Sequence, residues 1–271
     1  MIESFLLALE QGFFLRSLLV VALLAIVFPL YGNLVVVRQE ANIAHTFAHG
    51  GLFGVAVWLW FDRSIELSIL WSVLLTVLFL YFLWSRESQD QVVHNEIGAQ
   101  FGLVGAILLV SQMTGYKADI TSYLFGDILL LGRQDVFIIL GIVCICVLLY
   151  LIFRKKRFAI SLHTSLAKSK NMSTTRSYLI YLFALGLLIA GAMKIIWVLL
   201  VSAFLVLPSN IWKLLAKNRM QRNRIAGWVC LIISVAALFL SRYLDSPSGA
   251  TVIAGLLMVY GVSVVREALW R

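Results

Sequence analysis

Residues 42–54 read Asn-Ile-Ala-His-Thr-Phe-Ala-His-Gly-Gly-Leu-Phe-Gly, and the rest of the chain is read outward from them. His45 and His49 are four positions apart, so on a helix both side chains leave one face about a turn apart. Two imidazoles at that spacing can hold one transition-metal ion. The same spacing also suits a pair of buried, hydrogen-bonded imidazoles. Ionisable groups on a membrane helix are costly and as a rule line a cavity or conduit. Gly50, Gly51 and Gly54 follow at once and would let a neighbouring backbone come close to that helix.

The stretch begins the second of nine apolar segments, placed near 12–37, 42–61, 65–84, 96–113, 134–153, 177–192, 195–212, 225–241 and 249–265. Of 271 residues, 62% are apolar and 13% charged. A soluble domain carries about 25% charge, so the chain is expected in a membrane. A span takes about 20 residues, fewer when helices tilt or pack around one another. The expectation is an all-α polytopic protein of about nine transmembrane helices, forming a single domain over 1–271. The sixth and seventh segments meet at Gly191-Ala192-Met193-Lys194, read as a tight external hairpin.

The net charge of +9 could suggest nucleic acid, but its distribution reads as orientation. With the N-terminus outside, 16 of the 22 basic residues fall on the inner side, among them Arg38, Arg86, Arg154 to Arg157 and Arg219 to Arg224. The positive-inside rule then gives N-out, C-in, and no nucleic-acid partner is expected. The N-terminus lacks a basic leader and a small-residue cleavage site, so no cleaved signal peptide is expected. Cys144, Cys146 and Cys230 show no disulfide or metal spacing.

Local signals add detail. Pro29 and Gly32 predict a kink in the first segment, and Pro208 a kink that ends the seventh. Asn42 and Asn95 are read as helix caps, and His94 as a solvated loop histidine. Gly98 and Gly102, with Gly105 nearby, read as a helix-packing face. The outer stretch 114–135 carries Asp119, Asp127 and Asp135, which could steer cations or simply be solvated. Residues 154–176 form the longest inner loop and 219–224 a second basic loop. Asp245, in an outer turn rich in Pro and Gly, could cap a helix or face a pore. No phosphate-cradling Gly-Lys-Ser/Thr loop, Gly-x-Ser-x-Gly elbow or His-Glu-x-x-His helix is present. An intramembrane zinc enzyme would need a third ligand or base, and none accompanies the histidines within their helix. A non-transporting membrane scaffold is the remaining alternative.

Four motifs, in order, carry a family resemblance. They are Val36-Val37-Arg38 followed by Ile43-Ala44-His45-Thr46-Phe47-Ala48-His49-Gly50; Tyr123-Leu124-Phe125-Gly126-Asp127; Ala192-Met193-Lys194 with the apolar run 199–207 ending in Pro208; and Asp245-Ser246-Pro247-Ser248-Gly249. Over essentially its whole length the chain resembles the membrane permease subunit of ABC-type zinc, manganese and iron importers. The resemblance implies a multi-pass protein of the bacterial cytoplasmic membrane that pairs with a second permease copy. It also implies two cytoplasmic ATPase subunits, an extracellular or periplasmic metal-binding protein, and no permanently bound cofactor. Its cargo would be Zn2+, or Mn2+ or Fe2+, moved by alternating access. By resemblance, Ser165, Leu166, Ala167 and Asn171 would form the ATPase-coupling segment, His45 and His49 the metal ligands, and Asp127 and Asp245 contributors at the outer mouth.

The chain departs from the family pattern at the site itself. His45 stands where the family has Asp, and Ala44 where it has Gly. An imidazole in place of a carboxylate removes a negative charge and a hard oxygen ligand, which favours zinc over manganese. Ser165 replaces an acid in the coupling segment. Asn171 replaces a frequent Gly, and Asn tolerates the left-handed backbone such a turn requires.

Overall fold

The computed structural model describes residues 12–61, 65–84, 91–113, 132–162, 174–193, 198–215 and 219–269. Among them are nine α-helices: α1 (Gly12–Val37), α2 (Ile43–Trp60), α3 (Ile65–Trp84), α4 (Gln91–Gln112), α5 (Arg133–Leu162), α6 (Thr174–Met193), α7 (Val198–Leu215), α8 (Arg219–Tyr243) and α9 (Ser248–Leu269). The chain is an all-α, multi-pass membrane protein. Helices are the form that long apolar runs take in lipid, because every backbone N–H and C=O must be satisfied within the segment.

Five helices, α1, α4, α5, α8 and α9, are long and apolar enough by length and composition to cross a bilayer. The expectation of nine spans is therefore met as nine helices among the described residues, five of them clear spans. Three others hold shorter apolar stretches, Trp71–Phe82, Ser177–Met193 and Val201–Ile211. In α2 the two histidines and the glycines dilute the apolar character.

Helix α1 is the centre of the bundle: 50% of its spanning window is buried, against 28% for α4 and α5. Its ring Phe28 meets Phe204 of α7 edge-on at 5.1 Å, and Phe14 meets Phe239 of α8 at 5.0 Å. The Tyr31 hydroxyl donates to the Cys146 carbonyl of α5 at 2.8 Å. The Cys146 thiol in turn donates to the Ala184 carbonyl of α6 at 3.4 Å, while Cys144 faces out. The outward faces of α4, α5, α8 and α9 expose Phe101, Phe137, Leu148, Trp228 and Met258, side chains suited to lipid.

The glycines predicted to permit close approach do so. A Cβ at Gly54 would strike Ser72 of α3, and Gly32, read above only as part of a kink, also admits a neighbour, its Cβ striking the Leu205 carbonyl of α7. Gly98, Gly102 and Gly105 of α4 lie against Thr46, the His49–Gly50 backbone and Phe53 of α2. A methyl on Gly102 would come within 2.7 Å of the His49 carbonyl carbon and 2.8 Å of the Gly50 nitrogen, backbone atoms that cannot swing aside. Gly102→Ala is therefore expected to force α4 off α2 and destabilise the purified protein by about 1–3 kcal/mol. Gly141→Ala, which meets open space, serves as the control. Equal melting midpoints for the two variants would show that the helices are not held so closely.

Several local expectations are corrected. Asn42 does not cap α2 through its side chain, because its own backbone is helical (φ −69°, ψ −16°) and a capping side chain needs an extended backbone. Asn95 is not a cap either: α4 begins at Gln91, and Asn95 is buried within it. His94 likewise sits half-buried on α4 rather than in a loop. Pro208 lies inside α7, which continues to Leu215. Helix α5 runs to Leu162, so the basic run 154–157 is helical, and α8 starts at Arg219, so the second basic loop is its first turns. Of the hairpin expected at 191–194, Gly191, Ala192 and Met193 are instead the last residues of α6, and Lys194 lies outside the described residues.

The turn from α1 to α2 closes α1 with two reversed hydrogen bonds, Glu40 N–H to the Val35 carbonyl at 3.0 Å and Gln39 N–H to the Val36 carbonyl at 3.3 Å. That pairing needs a left-handed residue at Gln39, which has φ 58° where glycine is usual. The Ile43 N–H then bonds the Glu40 carbonyl at 2.9 Å and starts α2.

Candidate metal site on the second helix

His45 and His49 lie in the first two turns of α2, both half-buried. Their rings are nearly parallel, 17° between planes, with centroids 6.2 Å apart. Nitrogen–zinc bonds are about 2.0–2.1 Å, so one ion shared by the rings would draw a nitrogen of each to within about 4 Å of the other. The His49 Nδ1 is buried and has no hydrogen-bond partner. A satisfied core histidine would have one. The pair is thus oriented together and left with a buried nitrogen free to bind.

Three contacts hold the start of α2 in place. Thr46 Oγ1 donates to the Asn95 carbonyl of α4 at 2.7 Å. Gly102 of α4 seats against the His49–Gly50 backbone, and Gly51 against Met193 of α6. Among the described residues no three His, Cys, Asp or Glu side chains form a ligand cluster. Two donors suit a cargo that must leave again, whereas a structural site is closed by four.

The other expected site residues fall elsewhere. Asp127 and the coupling residues Ser165, Leu166, Ala167 and Asn171 lie outside the described residues. Asp245 is exposed, with φ 46°, and its left-handed backbone lets the Ser246 N–H close α8 on the Ser241 carbonyl at 3.0 Å. Asp245 follows the end of α8 that packs on Phe14, whereas α2 begins beyond the opposite end of α1. The structure does not bring it to the histidines. Asp135 accepts the Gly132 N–H at 3.0 Å, a bond at the start of α5.

Sequence reasoning missed a second feature beside the site. Arg38 was counted as an orienting surface charge, but its Nη2 lies 2.8 Å from Glu40 Oε1 and its Nε donates to the same oxygen at 2.9 Å. The side chains are only 15% and 3% exposed. The Arg38 guanidinium also lies over the rings of Tyr178 and Tyr181 of α6, 4.7 and 5.6 Å from their centroids. Burial by itself would favour a neutral arginine, yet Glu40 and its hydrogen bond outweigh burial and raise the pKa above the ordinary value. The Arg38 guanidinium therefore stays charged. The Arg-x-Glu spacing was visible in the sequence, but its tyrosine partners are 140 residues away.

The chain belongs to the ABC 3 transport family, whose model matches residues 10–267. It is accordingly a permease subunit and not an enzyme. It is 24% identical over 257 residues to the high-affinity zinc uptake system membrane protein ZnuB of Haemophilus influenzae, covering 93% of this chain and 96% of that one. To the manganese transport system membrane protein MntC of Halalkalibacterium halodurans it is 22% identical over 247 residues, covering 90% and 84%. The solved structure of PsaBC from Streptococcus pneumoniae in complex with Fab has a similar fold, with a TM-score of 0.85 and 22% identity over 97% of this chain and 95% of that one.

Proposed function

We propose that this chain is the membrane subunit of an ATP-driven importer of divalent transition metal, with zinc the favoured cargo and manganese or iron the second reading. What carries the proposal is the His45–His49 pair, 6.2 Å apart at the start of α2 with a buried nitrogen unpartnered, in a chain of this family. Two imidazoles favour zinc over the harder ions, which prefer oxygen. Relatives named for zinc and for manganese uptake match at nearly equal identity, so the preference rests on the donor chemistry alone.

The working assembly would be two permease copies, two cytoplasmic ATPase subunits and an extracellular metal-binding protein, in the bacterial cytoplasmic membrane. The chain would act as a single unit crossing nine times, N-out and C-in. The packing directions support that count. Gly50 and Gly54 of α2 meet Thr76 and Ser72 of α3 in antiparallel order, and α2 runs parallel to α4, as alternating crossings require. ATP-driven closure of the ATPase pair, received through residues 154–176, would reorient the helices around the histidines.

The test is metal accumulation in a depleted strain expressing the complete transporter, with zinc, manganese and iron supplied separately. Zinc is expected to accumulate, and to stop accumulating when the ATPase is inactivated. Accumulation of manganese or iron with zinc unmoved would sink the zinc preference. No accumulation of any metal by an assembled, ATP-hydrolysing complex would sink the whole reading.

A further inference from the structure

Helix α2 is seated in its neighbours largely by glycines. Toward α4 it sets Thr46, the His49–Gly50 backbone and Phe53 against Gly98, Gly102 and Gly105. Toward α3 it sets Gly50 and Gly54 against Thr76 and Ser72, and toward α6 it sets Phe47 and Gly51 against Gly186 and Met193. A glycine lets two backbones come close, yet it offers no side chain to stop one helix rolling on the other. Rolling α2 about its axis would swing both imidazoles at once. A site of this kind tolerates misplacement of only about 0.5 Å and 10–20°. A directional contact has to fix the roll.

Thr46 makes one. It stands between the histidines in sequence, about 100° round the helix from His45 and about 60° from His49, and it faces α4. The residue is 1% exposed. Its Oγ1 donates to the Asn95 carbonyl at 2.7 Å, and its Cγ2 is the atom that a Cβ on Gly98 would meet at 3.0 Å. The hydroxyl thus sets a direction and the methyl sets a distance. Asn95 is itself buried within α4, where a hydrogen bond is stronger than in water. The Thr46 Oγ1 also lies 3.3 Å from the Asn42 carbonyl of its own helix. A threonine bonded only to that carbonyl would be satisfied and would leave the roll of α2 free. The shorter bond runs to the other helix.

We infer that Thr46 is a positioning residue of the histidine site: its hydroxyl, bonded to Asn95, locks the rotation of α2 on α4 and so aims His45 and His49 together. The inference rests on the reading of those histidines as cation donors. The hydroxyl acts through the backbone of α2 and touches no metal. The two rings stand nearly parallel, 17° between planes, and the lock holds the turn from which they reach for one ion. It also opens at little cost. With the Asn42 carbonyl as a second acceptor, α4 can draw away without stranding a buried donor.

The test is zinc transport into proteoliposomes holding the complete transporter, read as half-saturating concentration and as maximal rate. Thr46→Val keeps the methyl against Gly98 and loses the hydroxyl, whereas Thr46→Ser does the reverse. Thr46→Val is expected to raise the half-saturating zinc concentration about tenfold. Its maximal rate should hold, because the Asn95 carbonyl keeps its own bond within α4. Thr46→Ser should match the wild type. A contact that only packs the helices would give the opposite order, with Thr46→Ser the weaker, and that order overturns the inference. So does a fall in maximal rate with half-saturation unchanged. Wild-type half-saturation in Thr46→Val, with transport lost in the His45/His49 double variant, overturns the inference and leaves the histidine site standing. Undiminished transport by the double variant overturns both. Should Thr46→Val fail to assemble, Thr46→Ala and Thr46→Ser both lack the methyl and differ only in the hydroxyl. A higher half-saturating concentration in Thr46→Ala supports the inference, and equal values overturn it.

Discussion

Changing His45 and His49 together to alanine is expected to lower metal accumulation about a hundredfold or more, with protein level and ATPase assembly unchanged. Loss of a residue that merely supports a ligand costs about 10–100-fold in metal affinity, and here both proposed donors go. The rings are only half-buried, so the bundle should survive the truncation. Accumulation in a metal-depleted strain is the measurement, with detergent extraction and size-exclusion profiles as the control for folding. The single variants separate two histories of the site. If both lose uptake, His45 has become a working ligand in place of the family carboxylate. If only His49→Ala does, position 45 no longer takes part. Undiminished uptake in the double variant would falsify the site.

The second large effect is expected at the buried ion pair. Removing one member, by Arg38→Met or Glu40→Leu, leaves the other charged in a place only 15% or 3% exposed. Breaking such a pair costs about 3–5 kcal/mol, whereas replacing both members with apolar residues is often close to neutral. Each single variant should therefore lower the melting midpoint of the purified protein strongly, and the double variant should recover much of the loss. Additive losses would show that the pair is not coupled. Glu40 lies three positions before the start of α2, and Tyr178 and Tyr181 lie near the start of α6. The pair thus clamps the root of the histidine helix to the helix that follows residues 163–173. Transport is expected to fall further in the single variants than protein level does.

Hydropathy located all nine helices, and two of its intervals, 12–37 and 65–84, coincide with α1 and α3. The disagreements have a pattern. Helix α4 begins five residues before the reading from Glu96, α5 runs nine beyond 153, α8 starts six before 225 and α9 ends four beyond 265. All four lie at ends assigned to the inner, basic side. Lys, Arg, Gln and Glu are good helix formers, so the helix continues past the point where apolar character stops. Hydropathy marks where lipid ends rather than where backbone hydrogen bonding ends. Asn42 and Asn95 were misread as caps for a related reason. Composition permits a cap, but only the backbone angles decide whether one forms.

The candidate site divides in the same way. The histidine spacing and the glycines after it were legible because a helix turns every 3.6 residues, so neighbours on one face follow from local sequence. The number of apolar segments and the family motifs were likewise local properties of the chain. Only the tertiary structure could decide that the Thr46 hydroxyl reaches the Asn95 carbonyl, that Gly102 seats on the His49 backbone, and that Arg38 is enclosed by Tyr178 and Tyr181. Those meetings depend on the register and rotation with which separate helices pack. In lipid that choice is made by close-fitting glycines and buried polar contacts, whose partners lie tens to more than a hundred residues apart.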